Sequence, residues 1–213
     1  MKGRTILSDP TTRGIRVILF DFGGVLAEEG FKNGLMAIGE AAGFSPEAFY
    51  RLAAAAVYDS GYVLGKASES VYWAMVRERT GIAGSDEMFR REILERFRLR
   101  PWLLEIVRKL RNRGYNVSIL SDQSQWLDEL NQRYDFFKDF NDIFNSYHLG
   151  KGKKDPSLFS DLASKLGVRG SEILFIDDNE GNIERARMQG WNTILYRNKE
   201  DFVREMQKLV PLD

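Results

Sequence analysis

Asp21 stands where a run of β-branched and aromatic residues, "RVILF" (16–20), stops and the chain passes through Phe22 into two glycines. Other apolar runs end the same way. "NVSIL" (116–120) delivers Ser121 and Asp122, "ILFI" (173–176) delivers Asp177 and Asp178, and the short run "DIFNSY" leads to Lys151, Lys153 and Lys154. A carboxylate released into a flexible turn is equipped to attack an electrophile or to hold a hard cation. A hydroxyl and lysines nearby are equipped to meet an anion. One such station is easily chance; four at the ends of successive runs are not.

These stations need a frame that brings them together. The runs named, with "TILY" (193–196), are short, continuous and apolar, and helical periods follow the later ones at Gln125–Arg133, Ser157–Leu166, Glu180–Gln189 and Glu200–Leu209. That alternation predicts a Rossmann-like α/β core, a parallel sheet covered on both faces. In such sheets ligands bind beyond the carboxyl ends of the strands, where all four stations fall. Between the first and second strands the sequence reads as helix only, in "LMAIGEAAG", "PEAFYRLAAAAVYDS", "SESVYWAMVRERTG" and "SDEMFRREILERF". Crossovers are normally far shorter. The expected organisation is a core of residues 1–27 and 99–213 with an inserted α-helical cap at 28–98. The helix "PWLLEIVRKLRNRG", opening on Pro101 and closing on Gly114, returns the chain to the sheet.

Acidic and basic residues balance at 31 each among 213 residues, so no overall field points to nucleic acid or an anionic membrane. The absence of cysteine excludes disulfides and thiolate chemistry and suits a reducing cytoplasm. The opening "MKGRTILSDPTTRG" has no apolar core of signal-peptide length, and no run is long enough to span a bilayer. The expectation is a cytoplasmic globular protein.

On these residues the chain resembles the haloacid dehalogenase superfamily, in its phosphatase-like branch with a helical cap after the first strand. "FDFGGVL" resembles the nucleophile motif, "ILSDQS" the second motif, "LGKGKKDPSLF" the lysine motif and "FIDDNEGNIERARMQGWNTILY" the acidic motif. The last is the most specific, since Asp177, Asp178, Asn182, Ala186, Gly190 and Thr193 all fall at family spacing. Lys154 departs from the pattern by filling a position usually held by proline, which makes Lys153 the functional lysine. The resemblance implies a Mg²⁺-dependent phosphatase acting on a small phosphorylated metabolite. It assigns Asp21 as nucleophile, and the metal to Asp21, the main-chain carbonyl of Gly23, and Asp178, with Asp177 and Asn182 steadying that shell. Ser121, Asp122 and Lys153 would bind the phosphoryl group, and Lys153 and Ser121 would assist the chemistry. The physics agrees. Each like-charge pair among three carboxylates and a phosphate costs roughly 4 kcal/mol at contact and an effective dielectric near 20. A divalent cation and a lysine must offset it, and oxygen ligands with retained waters favour Mg²⁺.

Gly23 is the departure with a chemical consequence. Family phosphatases usually place an aspartate there as general acid, a contribution worth about 10²–10⁴-fold. Glu28 and Glu29, just past the turn, are the candidate replacements. Gly23 also has the residue type suited to positive φ, in which case an aspartate there would strain the loop. Two other readings stay open: a 2-haloacid dehalogenase, against which the paired Asp177-Asp178 argue, and a non-catalytic phosphate-binding member, for which Gly23 argues. "SDQS" alone is an ordinary capping string. Asp155 before Pro156 reads as an N-cap with proline at the first helical position, and His148 as structural or surface. Tyr50, Tyr58, Tyr62, Tyr72 and Trp73 read as mostly cap core, with the stretch around Tyr62 and Lys66 as a candidate substrate-facing segment.

Overall fold

A computed structural model describes residues 14–212. In chain order the elements are β1 (Val17–Phe20), α1 (Gly30–Ala41), α2 (Pro46–Asp59), α3 (Glu69–Thr80), α4 (Asp86–Leu94), α5 (Pro101–Asn112) and β2 (Asn116–Ser121). Then come α6 (Trp126–Tyr134), β3 (Ile143–Asn145), α7 (Ser146–Leu149), α8 (Ser157–Leu166), β4 (Ile173–Asp177), α9 (Glu180–Met188), β5 (Asn192–Leu195) and α10 (Lys199–Gln207). The five strands are parallel in the order β3-β2-β1-β4-β5. Strand order therefore reverses at β1, and this is where an open sheet leaves a crevice beyond its strand ends.

β1 is buried along its whole length because both faces are covered. Its residues alternate between two cores, as period-two side chains must. Ile18 and Phe20 join the cluster that continues into α1–α4, through Phe22, Phe97 and Trp73. Val17 and Leu19 join the cluster under α8 and α9, around Phe159, Phe175 and Trp191.

The segments that leave β1 and return to α5 run side by side. Ala27 and Leu99 form an antiparallel bridge, the Glu28 N–H donates to the Arg98 carbonyl at 2.9 Å, and the Arg100 N–H donates to the Leu26 carbonyl at 2.9 Å. The first inserted helix begins at Gly30, five residues before the apolar period that predicts it. Its cap is Glu29, whose carboxylate accepts the Lys32 N–H at 3.0 Å. The early turns hid from the pattern because their packed positions are glycines. A Cβ on Gly34 would lie 2.7 Å from the Ile93 Cα, so α4 approaches α1 too closely for any side chain there.

Elsewhere the element ends move by one to three residues, the largest shift being α4, which stops at Leu94. β2 and β4 each extend by one, taking in Ser121 and Asp177. Asp155 accepts the Ser157 N–H at 2.9 Å, so it caps α8 with Pro156 at the boundary itself rather than inside the first turn. Among the described residues no helix is long and apolar enough to cross a membrane.

Candidate active site

Asp21 is still held by the sheet, its N–H donating to the Ile176 carbonyl at 2.9 Å. Its side chain therefore has a fixed origin at the centre of the strand ends. Ser121, the last residue of β2, donates its hydroxyl to Asp21 Oδ1 at 2.6 Å, and the Phe22 N–H reaches the same oxygen at 2.7 Å. Lys153 Nζ lies 2.9 Å from Asp21 Oδ2 and 2.7 Å from Asp177 Oδ2. Lys153 is only 2 % exposed, and a buried ammonium is tolerated when carboxylates surround it. Burial works to lower its pKa, but Asp177 and Asp21 outweigh that and hold it above the usual lysine range. Burial pushes the Asp21 carboxyl well up, against the pull of Lys153 and with the added repulsion of Asp177 and Asp178.

The paired aspartates divide. Asp177 is fully buried and occupied by protein donors: Lys153, the Asn179 N–H at 2.8 Å and Asn182 Nδ2 at 3.1 and 3.2 Å. Asp178 is exposed at the cavity wall and makes no ion pair among the described residues. Partial burial of its carboxyl group, then Asp177, push its pKa up. Ligand oxygens of Asp21, Asp177 and Asp178 all lie within 4.8 Å of one another, a spacing that fits one hard cation. The turn under them is shaped by Gly24, which the sequence reading passed over. Gly24 has φ +79°, and a Cβ there would stand 2.0 Å from Asp178 Oδ2. The second glycine of "GG" was the signal for it.

The lysine loop is fastened from beneath. The Asp122 carboxylate accepts the Lys153 N–H at 2.8 and 3.1 Å and the Tyr58 hydroxyl at 3.4 Å. Arg185 donates to the Lys153 carbonyl at 2.7 Å and to Asn182 Oδ1 at 2.6 Å. Lys151 points away, to Asp161 at 2.5 Å, while Lys154 lines the cavity. His148 is exposed and contacts Asp128 at 2.7 Å, remote from the chemistry.

A cavity of about 760 Å³ lies over these groups, with Tyr50, Val57, Tyr58, Val63 and Trp126 among its walls. Tyr50 and Tyr58, partly buried against the helical core, thus also face the cavity. Tyr62 does the reverse: it is fully buried, stacked on Tyr72 at 5.5 Å and set edge-on to Trp126 at 5.6 Å. Neither Tyr62 nor Lys66 lines the cavity. The reason is that Gly61 and Gly65, both at positive φ, turn the chain so that Tyr62 points into the core.

The structure separates the two glutamates. Glu28 pairs with Arg100 at 3.1 Å, 55 % of its side chain exposed, and does not line the cavity. Glu29 does line it, and its Oε2 lies 3.4 Å from where a Cβ on Gly23 would be. The Glu29 carboxylate thus occupies the space beside the empty position. Burial pushes its pKa up, against the Lys32 N–H hydrogen bond that lowers it. Gly23 does not have positive φ; that conformation belongs to its neighbour Gly24. The strain expected of an aspartate at 23 is therefore absent, and crowding by Phe97, Gln123 and Glu29 takes its place. Arg100 is a second residue unforeseen from sequence. One guanidinium nitrogen spans the carbonyls of Gly24, Val25 and Ala27, so it shapes the whole turn after Asp21.

The fold and this cluster together define a parallel α/β hydrolase with an acidic centre at the middle strand. The chain belongs to the haloacid dehalogenase-like hydrolase family, whose model matches residues 15–190. The HAD family enzyme bt-2542 of Bacteroides thetaiotaomicron superposes with a TM-score of 0.74 at 24% identity, covering 91% of this chain and 98% of that one. A second structure of that enzyme, in complex with magnesium and inorganic phosphate, gives 0.66 at 22% identity, covering 90% and 98%. L-2-haloacid dehalogenase of Xanthobacter autotrophicus gives 0.63 at 16% identity, covering 90% and 82%.

Among curated relatives, bifunctional epoxide hydrolase 2 of Rattus norvegicus is 27% identical over 136 residues, 58% of this chain and 23% of that protein. Enolase-phosphatase E1 of Erwinia tasmaniensis is 25% identical over 119 residues, 54% and 52% of the two chains. The chain thus spans less than a quarter of the epoxide hydrolase and about half of the enolase-phosphatase.

Proposed function

We propose that this hydrolase is a Mg²⁺-dependent phosphatase that moves the phosphoryl group of a small phosphorylated metabolite first to Asp21 and then to water. The observation that carries this reading is the Lys153 ammonium shared between Asp21 and Asp177, with Ser121 on the other Asp21 oxygen. It is a nucleophile and an anion site built as one unit. The enolase-phosphatase relative and the phosphate complex of bt-2542 support the same class of substrate. Asp21, the Gly23 carbonyl and Asp178 are the residues that would hold Mg²⁺, with Asp177 and Asn182 bracing them; the free Asp178 carboxylate fits that role. Bound there, the ion neutralises charge between phosphoryl oxygens and carboxylates. Residues 28–98 serve as the cap over a core that, within the described residues, comprises 14–27 and 99–212, excluding water from the cavity. The absence of cysteine suits the cytoplasm, where we place the reaction.

In the forward step an Asp21 carboxylate oxygen attacks phosphorus in line, and the bond from phosphorus to the leaving oxygen breaks. Lys153 and Ser121 hold the charge on the phosphoryl oxygens. Glu29 gives its proton to the leaving oxygen, doing from the start of α1 what Gly23 cannot. Glu29 then takes a proton from the water that attacks the aspartyl-phosphate, which releases inorganic phosphate and restores Asp21. The dehalogenase alternative would use Asp21 on carbon, a reaction that gains nothing from Asp177 and Asp178 beside the attacking group.

The test is a leaving-group series scored by inorganic phosphate, with a 2-haloacid scored by halide. Halide release with no phosphate from any ester would overturn the phosphatase reading. Within the series, Glu29→Gln keeps an acceptor for the Lys32 N–H but has no acidic proton. It should lower kcat/KM on alkyl phosphates about 10²-fold, and on acidic aryl phosphates by less than about threefold. A uniform loss across the series would remove Glu29 from the proton transfer.

A further inference from the structure

Lys32, Lys154 and Arg185 line the cavity in addition to Lys153. Arg185 is already committed to the Lys153 carbonyl and Asn182. Lys32 and Lys154 are not: neither forms an ion pair among the described residues, whereas the adjacent Lys151 and Lys153 are both carboxylate-paired. Each instead stands over an aromatic ring of α2. Lys154 Nζ is 3.4 Å from the Tyr58 ring centroid, and Lys32 Nζ is 5.7 Å from that of Tyr50. A ring face holds an ammonium in place without cancelling its charge. The two tyrosines are eight positions apart on one helix, a rise of about 12 Å. One wall of the cavity therefore carries two positioned cations at separate points along it, neither in ion-pair contact, with the Glu29 carboxylate acting on Lys32 only at longer range.

Helix stability does not explain Lys32. It lies in the first turn of α1, where the helix dipole disfavours a cation. Nor does the phosphoryl group, which has Lys153 and Ser121 at the strand ends. We propose that the cavity takes phosphoesters whose leaving group bears a second anionic group, a carboxylate or another phosphate, which Lys32 and Lys154 hold. This rests on the phosphatase reading and narrows its substrate class to bis-anionic metabolites with an apolar or aromatic middle, matching Val57, Val63 and Trp126 on the walls.

The experiment compares aryl phosphates of equal leaving-group pKa whose side arm ends in a carboxylate, a phosphate, a carboxamide or a trimethylammonium. With Mg²⁺ at low salt, the carboxylate or phosphate arm should exceed the carboxamide about tenfold in kcat/KM, and the trimethylammonium should be slowest. The preference should shrink as salt is raised. In the Lys32→Met/Lys154→Met protein the ratio of charged to neutral arm should fall towards one. Whichever of the two anionic arms is faster identifies the second group. Equal values for anionic and carboxamide arms, or an undiminished ratio in the double variant, would overturn the proposal while leaving a phosphatase. Non-hydrolysable phosphonates with the same arms, titrated by calorimetry, separate the two ideas. If no ester is turned over, the phosphatase reading falls, and the phosphonate affinity ratio decides the anion site alone: about tenfold supports it and unity overturns it.

Discussion

Asp21→Asn is expected to abolish phosphate release, a loss of at least about 10³-fold, because an amide has no anionic oxygen with which to attack phosphorus. The fold should survive. The amide oxygen can still accept from the Ser121 hydroxyl and the Phe22 N–H, which now meet Asp21 Oδ1 at 2.6 and 2.7 Å. Lys153 would lose one of its two carboxylates but keep Asp177 at 2.7 Å. The stability loss should therefore stay below the roughly 3–5 kcal/mol that follows when a buried pair is broken outright. Phosphate release and a thermal melt on the same protein make the check. A folded Asp21→Asn protein with most of its rate intact would exclude the covalent route.

Chelation of divalent metal should stop hydrolysis in the unmodified protein, and Mg²⁺ should restore it. Asp178→Ala should be inactive with or without Mg²⁺, and the melting temperature adds a reading independent of turnover. Asp178 has a pKa raised in the fold, first by burial and then by Asp177. The sign follows: a carboxyl harder to ionise in the folded state than in the unfolded one opposes folding once it is ionised. At neutral pH and without metal, Asp178→Ala should therefore melt no lower than the unmodified protein. Mg²⁺ should raise the melting temperature of the unmodified protein, by about 2.7 kcal/mol of stability at a hundredfold excess over Kd, and do nothing for the variant. A Mg²⁺-induced rise that persists in Asp178→Ala would place the ion elsewhere. Full-rate halide release from a 2-haloacid in chelator would make the metal irrelevant to the chemistry.

Much of this was legible from the chain. The strands could be read because each is a short apolar run closed by a polar residue, and burial on both faces of a parallel sheet leaves that local mark. Asp21, Ser121 and Asp177 meet because parallel strands present their carboxyl ends on one edge, so knowing the strands was enough to group them. The inserted helices were also readable, since their periods are long. α1 was shortened only where Gly30 and Gly34 replaced the apolar residues that would have marked its packed face.

Tertiary structure decided direction. Glu28 and Glu29 are adjacent and chemically equal, and only the packing of α1 against α4 and the pull of Arg100 send one outward and the other to Gly23. Tyr58 and Tyr62 fall four apart, a helical spacing, yet α2 ends at Asp59 and two left-handed glycines turn Tyr62 into the core, leaving Tyr58 at the cavity. The glycine pair marked Gly24 only as a turn and Arg100 left no signal at all, because the contacts that define their roles come from Asp178 and from carbonyls some 75 residues away in sequence. Periodicity and run length are local properties that a chain carries in its order. Which side chain fills a shared space depends on the segments packed around it, and that is set only when the chain closes on itself.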